Sequence, residues 1–297
     1  MVATPMTRLL IRHETRYDYQ NPVSFGVHRL MIRPRDSHAI RIISANLTLS
    51  PPGSTRWAYD ALGNCVCWFQ PLGEADSLTI TSEMAIERFP APLAPIHVTD
   101  PQTALPMVYS LGDRTLLEPF MAPATADDDG GLTRWLRNHL SAPNEPALNY
   151  LQRINKAIFD EITYTERYEA GTLEPSETLR RAQGACRDVA WLMTEALRRL
   201  GYAARFVSGY LYAPQLANIK GAGATHAWVQ VFLPDLGWIE FDPTNNLTES
   251  ADLIPVAVAR TPDEAAPISG TIIGYPNGSN LTVSVDVHAD EHQLAPA

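Results

Sequence analysis

One stretch, Gln183-Gly184-Ala185-Cys186-Arg187-Asp188, constrains this chain more than any other. It runs into Val189–Leu200, where Val189, Leu192, Met193, Ala196, Leu197 and Leu200 recur at the i, i+3, i+4, i+7 spacing of a buried helical face. Gly184 breaks the chain before that helix, so Cys186 is expected at or near its N-terminus. Unpaired backbone N–H groups and the positive end of the helix dipole favour an anion there, and the thiolate is the nucleophilic form of cysteine. Arg187 adds positive charge nearby or points to solvent.

A nucleophilic cysteine needs a base, and His226 follows 40 residues later. From Thr225 to Leu233 the chain alternates as a strand. Ala227, Val229, Val231 and Leu233 form an apolar face; His226, Trp228, Gln230 and Phe232 form a mixed one that suggests a cleft wall. Pro234-Asp235-Leu236-Gly237 has hairpin-turn chemistry and leads to a second strand, Trp238–Asp242. With a three-residue loop and Gly237 at positive φ, His226 and Asp242 share a sheet face, diagonal in one register. A two-residue loop would put them on opposite faces. Cys186, His226 and Asp242 thus have the chemistry of nucleophile, base and orienting carboxylate.

The blocks GACRD, RFVSGY (205–210), THAWVQVFLPDLGW (225–238) and FDPTNN (241–246) resemble the transglutaminase-like superfamily of bacterial proteins. The segments His13-Glu14-Thr15-Arg16-Tyr17-Asp18-Tyr19 and Asp60-Ala61-Leu62-Gly63-Asn64 resemble the β-region that often precedes that domain. Together the matches cover most of residues 8–250. The resemblance implies an α+β chain: an N-terminal β-sandwich-like module, then a papain-like domain with helices packed on an antiparallel sheet. It implies the same roles for Cys186, His226 and Asp242. The chain departs from the family at Ala185-Cys186-Arg187-Asp188-Val189-Ala190-Trp191, where relatives commonly read Val-Cys-Gln-Asp-Phe-Ala-His.

Around those three residues the sequence offers less. The Cys186 backbone N–H and the Gln183 side chain are candidate oxyanion donors. Tyr210 is a candidate to pack beside the triad, and Trp228 and Trp238 to wall the cleft. Asp188 is expected to cap the first helical turn. His13 and His28 lie on strands without partners at metal-ligand spacing and read as structural histidines. Cys65 and Cys67 read as ordinary thiols, too close for an unstrained bridge. Asp127-Asp128-Asp129-Gly130-Gly131 lacks the ligand spacing of a calcium loop and reads as a solvated turn before a helix. No metal or organic cofactor is called for.

Divided in order, the chain is expected to hold a β-rich region (1–90), a Pro-rich linker and connecting segment (91–131), the catalytic core (132–250) and a C-terminal extension with a late strand (251–297). Strands are expected at Leu9–Tyr19, Val27–Ile32, Arg41–Leu49, Cys65–Phe69, Ser77–Ile86, Ala203–Tyr212 and Thr282–His288. Helices are expected at Leu132–Leu140, Ala147–Ile162 and from Ser176. Ala213–Ala224 reads as a mobile loop beside His226, and Asp290–Ala297 as a frayed tail.

A net charge of −10 argues against a nucleic-acid or anionic-membrane surface. Without a long apolar run or a signal-like start, the chain reads as cytoplasmic. The expected chemistry is thiol-dependent acyl transfer at amide or peptide carbonyls, by a cysteine protease, amidase or transglutaminase-like enzyme. Its expected partners are a peptide or protein amide substrate and an amine acyl acceptor. The rivals are a catalytically inactive binding module of the same fold and a coenzyme-dependent acyltransferase, although no phosphate-binding segment stands out for the latter.

Overall fold

The computed structural model describes residues 6–89, 104–167, 169–212, 214, 220–221, 223–234 and 236–290. Six strands come first: β1 (Thr7–Phe25), β2 (His28–Leu30), β3 (Ile40–Ser50), β4 (Gly53–Tyr59), β5 (Cys65–Pro71) and β6 (Glu74–Arg88). The middle of the chain holds α1 (Leu111–Met121), α2 (Gly131–Asn138), α3 (Ala147–Glu161), β7 (Thr163–Tyr164), α4 (Pro175–Arg181), β8 (Gln183–Gly184) and α5 (Cys186–Arg199). A second set of strands follows: β9 (Ala204–Leu211), β10 (His226–Leu233), β11 (Gly237–Asp242), β12 (Leu247–Thr248) and β13 (Leu253–Ala259). Three more close the chain: β14 (Ile268–Ser269), β15 (Ile272–Ile273) and β16 (Ser279–Ala289).

The N-terminal strands make two facing sheets. One runs β15-β1-β6-β3, with β16 also on β1; the other runs β14-β2-β5-β4. Val23, Phe25, Leu30, Phe69, Leu78 and Ile80 fill the space between them. The long strands β1 and β6 overrun this sandwich. Their far halves carry Leu9, Ile11, Met84 and Ile86 into a second cluster with Tyr210, Ile254 and Val256 of the other sheet. The α+β expectation, a sandwich-like module before a helix-on-sheet domain, therefore holds.

The remaining sheet has the order β12-β11-β10-β9-β13, all antiparallel, and α5 packs against β9 and β10. The sequence suggests a one-sided amphipathic helix for α5, but its whole length from Val189 to Arg198 is buried. Its polar residues are satisfied inside the protein. Glu195 accepts from the Ala124 and Thr125 N–H groups and pairs with Arg198 and Arg199. Arg198 donates to the carbonyls of Phe120, Ala204 and Arg260. A buried ion pair gains stability only when its remaining donors and acceptors are also used, and these are. They tie α5 to α1, β9 and the end of β13.

Several boundaries differ from expectation. The domain expected at 132–250 does not stop there: Leu253–Ala259 pairs with β9 as an edge strand of the same sheet. The late strand is Ser279–Ala289 and lies along β1 from Leu9 to Tyr19, so the chain's end completes the N-terminal module. Asp290 is not frayed, since its N–H donates to the Arg8 carbonyl and its carboxylate pairs with Arg8. The connecting segment contains α1, capped by Ser110 and carrying Pro119; most of it is exposed, leaving little apolar period to read. β4 is missed because it is an exposed edge strand with almost no buried residue. The proline-rich residues 90–103, most of the loop 213–224 and the tail 291–297 lie outside the described residues.

The structural readings of the minor motifs hold. His13 is buried between Tyr210 and Thr15, and burial drops its pKa to about 4. His28 bonds the Gly26 carbonyl. Cys65 and Cys67 are free thiols, and burial with the Cys65 charge pushes Cys67 up to about 11. The Asp127 carboxylate accepts from the Leu132 and Thr133 N–H groups and so caps α2. Among the described residues no group of His, Cys, Asp and Glu is placed to hold a metal, and no helix is long and apolar enough to cross a membrane.

Candidate active site

Cys186 opens α5, as its position after Gly184 predicts. The Cys186 and Arg187 N–H groups, the first of the helix, have no backbone acceptor among the described residues. They are the orphan donors that every helix start leaves. Asp188 completes the turn by accepting from the Ala185 N–H at 2.9 Å. It is fully buried and does more than cap, because Arg167 Nε–H donates to it at 2.8 Å and the Leu173 N–H at 2.8 Å. Arg187 neither approaches the sulfur as a free charge nor points to solvent. Its guanidinium holds the carbonyls of Arg167, Glu169 and Gly171. Two adjacent residues, one acidic and one basic, thus fasten the 167–173 segment beside the cysteine.

The hairpin has the register that brings His226 and Asp242 together. Leu233 pairs with Gly237 and Val229 with Phe241, so the loop has three residues and Gly237 takes φ +80°. Continued, this register sets Asp242 opposite Trp228, diagonal to His226 on the same face. The His226 Nε2–H donates to Asp242 Oδ2 at 2.9 Å, with both side chains buried. Asp242 also accepts from the Thr244 N–H at 2.8 Å and the Asn245 N–H at 3.3 Å on Oδ1, and from Asn245 Nδ2 at 3.0 Å on Oδ2. One carboxylate therefore both closes the Asp-Pro-Thr turn and holds the His226 ring.

Electrostatics follow from these contacts. Burial alone would raise the Asp242 pKa, but the imidazole beside it and the Asn245 and Thr244 donors outweigh burial and hold it low. Burial would lower His226, but the Asp242 charge and hydrogen bond outweigh it, with a smaller contribution from Cys186, and raise it above the ordinary imidazole value. His226 Nδ1 is buried and has no partner at hydrogen-bond geometry among the described residues. The Cys186 sulfur is near enough to act on the ring as a hydrogen-bond partner and a charge. The thiol and the imidazole are thus close but not aligned for a hydrogen bond.

The backbone at Lys220–Gly221 passes over this nitrogen. A Cβ built on Gly221 would stand 3.0 Å from His226 Nδ1, and Gly221 has φ +80°, so both space and conformation require glycine. Asn245 fixes the strap: its Oδ1 accepts from the Lys220 N–H at 3.0 Å, and its Nδ2 donates to the Lys220 carbonyl at 3.3 Å. Gly223 gives its carbonyl to the Val285 N–H of β16, linking this approach to the N-terminal module. Asn245 lies in the FDPTNN block, but nothing in the sequence marks it as joining the strap to Asp242.

The secondary candidates fare unevenly. Gln183 is exposed, its backbone in the short β7–β8 pair. Tyr210 does not serve the triad: its hydroxyl donates to the Ile32 carbonyl and meets His13, at the seam with the N-terminal module. Trp228 does not wall an open cleft, being wholly buried. Its ring lies 6.1 Å from His226, near parallel, and its Nε1–H donates to Glu240 at 3.1 Å. Trp238 does line a cavity, but one that neither Cys186 nor His226 reaches.

Comparison with known proteins agrees with this architecture. Residues 134–243 match the model of the transglutaminase-like superfamily, and residues 9–87 match that of the bacterial transglutaminase-like N-terminal region. An uncharacterized protein of Mycobacterium tuberculosis is 28% identical over 304 residues, covering 94% of this chain and 92% of its own. One of Mycobacterium leprae is 26% identical over 287 residues, covering 95% and 99%. A crystal structure of a candidate cysteine protease from Cytophaga hutchinsonii superposes with a TM-score of 0.74 at 18% identity, covering 99% of this chain and 94% of that one. At that identity the likeness is one of fold.

Proposed function

We propose that this chain, which belongs to the transglutaminase-like superfamily, transfers acyl groups from carboxamide or peptide carbonyls through a thioester on Cys186. The observation that carries this reading is the His226 Nε2–Asp242 Oδ2 bond of 2.9 Å, which commits one ring nitrogen and leaves Nδ1 beside the cysteine at the start of α5. In this reading Nδ1 takes the proton of the Cys186 thiol, and the thiolate left beside the imidazolium attacks the carbonyl carbon. Negative charge collects on the carbonyl oxygen, where the unpaired Cys186 N–H is a donor. The proton on Nδ1 passes to the amide nitrogen, the C–N bond breaks, and ammonia or an amine leaves the thioester. Water or a second amine, deprotonated by Nδ1, then attacks the thioester and regenerates the thiol. Asp242 keeps the ring in one tautomer and stabilises the imidazolium throughout.

Hydrolysis makes the protein a protease or amidase, and aminolysis makes it a transglutaminase-type enzyme. The two share every step up to the thioester, and product analysis with and without a primary amine separates them. The first test is brief iodoacetamide treatment followed by mass spectrometry. Cys186 is expected to be labelled ahead of Cys65 and Cys67, and the selectivity is expected to vanish in His226→Ala. A Cys186 that stays unlabelled in the folded wild type would replace this reading with that of an inactive binding module.

A further inference from the structure

A cavity of about 560 Å³ lies between the N-terminal module and the sheet that carries His226. Its floor is the face of β9, β10 and β11 that holds Arg205, Gln230 and Glu240. Its rim includes Arg35 from the loop before β3 and Arg88 from the end of β6. Cys186 and His226 do not line it. We infer that this cavity is a binding site for a small oxyanion, a carboxylate or a phosphate, held between Arg35, Arg88 and Arg205.

Hydrogen-bond accounting leads to this conclusion. Each guanidinium presents five N–H donors and no acceptor. Among the described residues none of the three arginines forms an ion pair, and the one side-chain hydrogen bond they make runs from Arg205 Nε to Gln230 Oε1 at 2.8 Å. Arg88 is 6% exposed, so little water reaches it. Arg205 stacks its guanidinium 3.9 Å above the Trp238 ring, which fixes its plane and leaves its other nitrogens clear. Arg205 feels the like charge of Arg35 and, less, the opposite charge of Glu240, and Arg88 feels Asp252 and Glu240. Gathering like charges away from water is costly unless an anion joins them.

The carboxylates in the same cavity do not fill this role. Glu240 Oε1 is taken by Trp228 Nε1 and Gln230 Nε2, Glu249 Oε1 by the Glu240 N–H, and Asp36 Oδ1 by the Ile42 N–H. One oxygen of each of these carboxylates is thus given to a neutral donor, and among the described residues none of them lies within ion-pair distance of the three guanidinium groups. The missing partner is a molecule that brings negatively charged acceptors, and planar guanidinium forks suit carboxylate and phosphate oxygens alike.

The test is isothermal titration calorimetry on the full chain at low ionic strength, against chloride-matched controls. One arm uses inorganic phosphate and the other succinate. Saturable one-site binding is expected in at least one arm, weakened about tenfold or more by Arg35→Ala and by Arg205→Gln. The stronger arm identifies the oxyanion. Should Arg205→Gln fail to fold, Arg35→Ala still decides, because that side chain is only half-buried. Cys186→Ala is expected to bind as the wild type does, which separates this site from the acyl-transfer reading. Absence of saturable heat in both arms, binding unaffected by Arg35→Ala, or binding lost in Cys186→Ala would each overturn the inference.

Discussion

Two carboxylates, Glu240 and Asp242, stand two residues apart on β11 and face the same side of the sheet, yet the protein shifts their pKa values in opposite directions. Burial pushes both upward. At Asp242 the imidazole of His226, the Asn245 amide and two backbone N–H groups reverse that push. At Glu240 the donors are an indole and a side-chain amide, both neutral, and Glu249 adds a like charge. Burial prevails there, and the pKa rises to about 7. Burial pushes both carboxylates the same way, and the charge and number of their partners decide whether that push is reversed.

The largest expected effect comes from breaking the ionised member. Asp242→Asn keeps the size of the side chain but removes the charge that fixes the His226 tautomer. The acyl-transfer rate should fall about 10³–10⁴-fold, by analogy with other triads, while the fold persists. Steady-state kinetics with circular dichroism checks both halves, and near-normal rates would reduce Asp242 to a turn residue. Asn245→Ala comes next. It removes one donor to Asp242 and both bonds to Lys220, and should lower the rate about 10–100-fold while costing stability about 1–2 kcal/mol. If Asn245→Ala lowered stability without touching the rate, the strap over His226 would be structural only.

How this contrast was encoded bears on what a sequence reveals. The hairpin is legible because its turn is local: Gly237 after Pro-Asp-Leu fixes three loop residues, and that alone puts His226 and Asp242 on one face. Cys186 is legible because a glycine break and a helical period are also local signals. Tyr210 and Trp228 were misjudged because alternation shows which face a residue lies on, not what covers that face. Trp228 is enclosed by Val207, Leu253 and Val258, and Tyr210 by the N-terminal module, whose sheet is completed by β16 from some 260 residues away. No local pattern marks so distant a pairing. Glu240, Asn245 and the Arg167–Asp188 pair were missed for the same reason: each takes its character from a partner on another element.

The member of the pair whose pKa is raised gives a stability signature instead of a rate. Glu240 has a folded pKa of about 7 against the ordinary glutamate value of 4.5. Between those values the folded state binds the extra proton, so stability falls as pH rises through that window and is level above it. At about 1.4 kcal/mol per unit, discounted for the part of the side chain that meets the cavity, the loss is about 1–3 kcal/mol. Glu240→Gln should flatten the decline between pH 4.5 and 7 in urea denaturation. His226, also raised, contributes stability that is complete below 6.5 and lost only as pH rises through its higher folded value, so the two windows separate. An unchanged slope in Glu240→Gln would mean that the cavity is wet enough to keep Glu240 ordinary.

The smallest expected effect tests the group that joins the two carboxylates. Trp228 donates its indole N–H to Glu240 and lays its ring beside His226. Trp228→Phe keeps an aromatic ring in the buried site but deletes the donor. Glu240 then loses one of the two bonds that favour its charged form, so its pKa should rise further and the pH-dependent loss of stability should extend above 7. Stability at pH 8 should drop about 1–2 kcal/mol, one hydrogen bond plus the smaller ring. The acyl-transfer rate should change only a few-fold, because the His226–Asp242 bond does not pass through Trp228. A rate loss as large as that of Asn245→Ala, with the titration window unmoved, would show instead that the indole acts by holding the imidazole. The contrast between the two carboxylates would then be set by packing around His226 and not by separate hydrogen-bond partners.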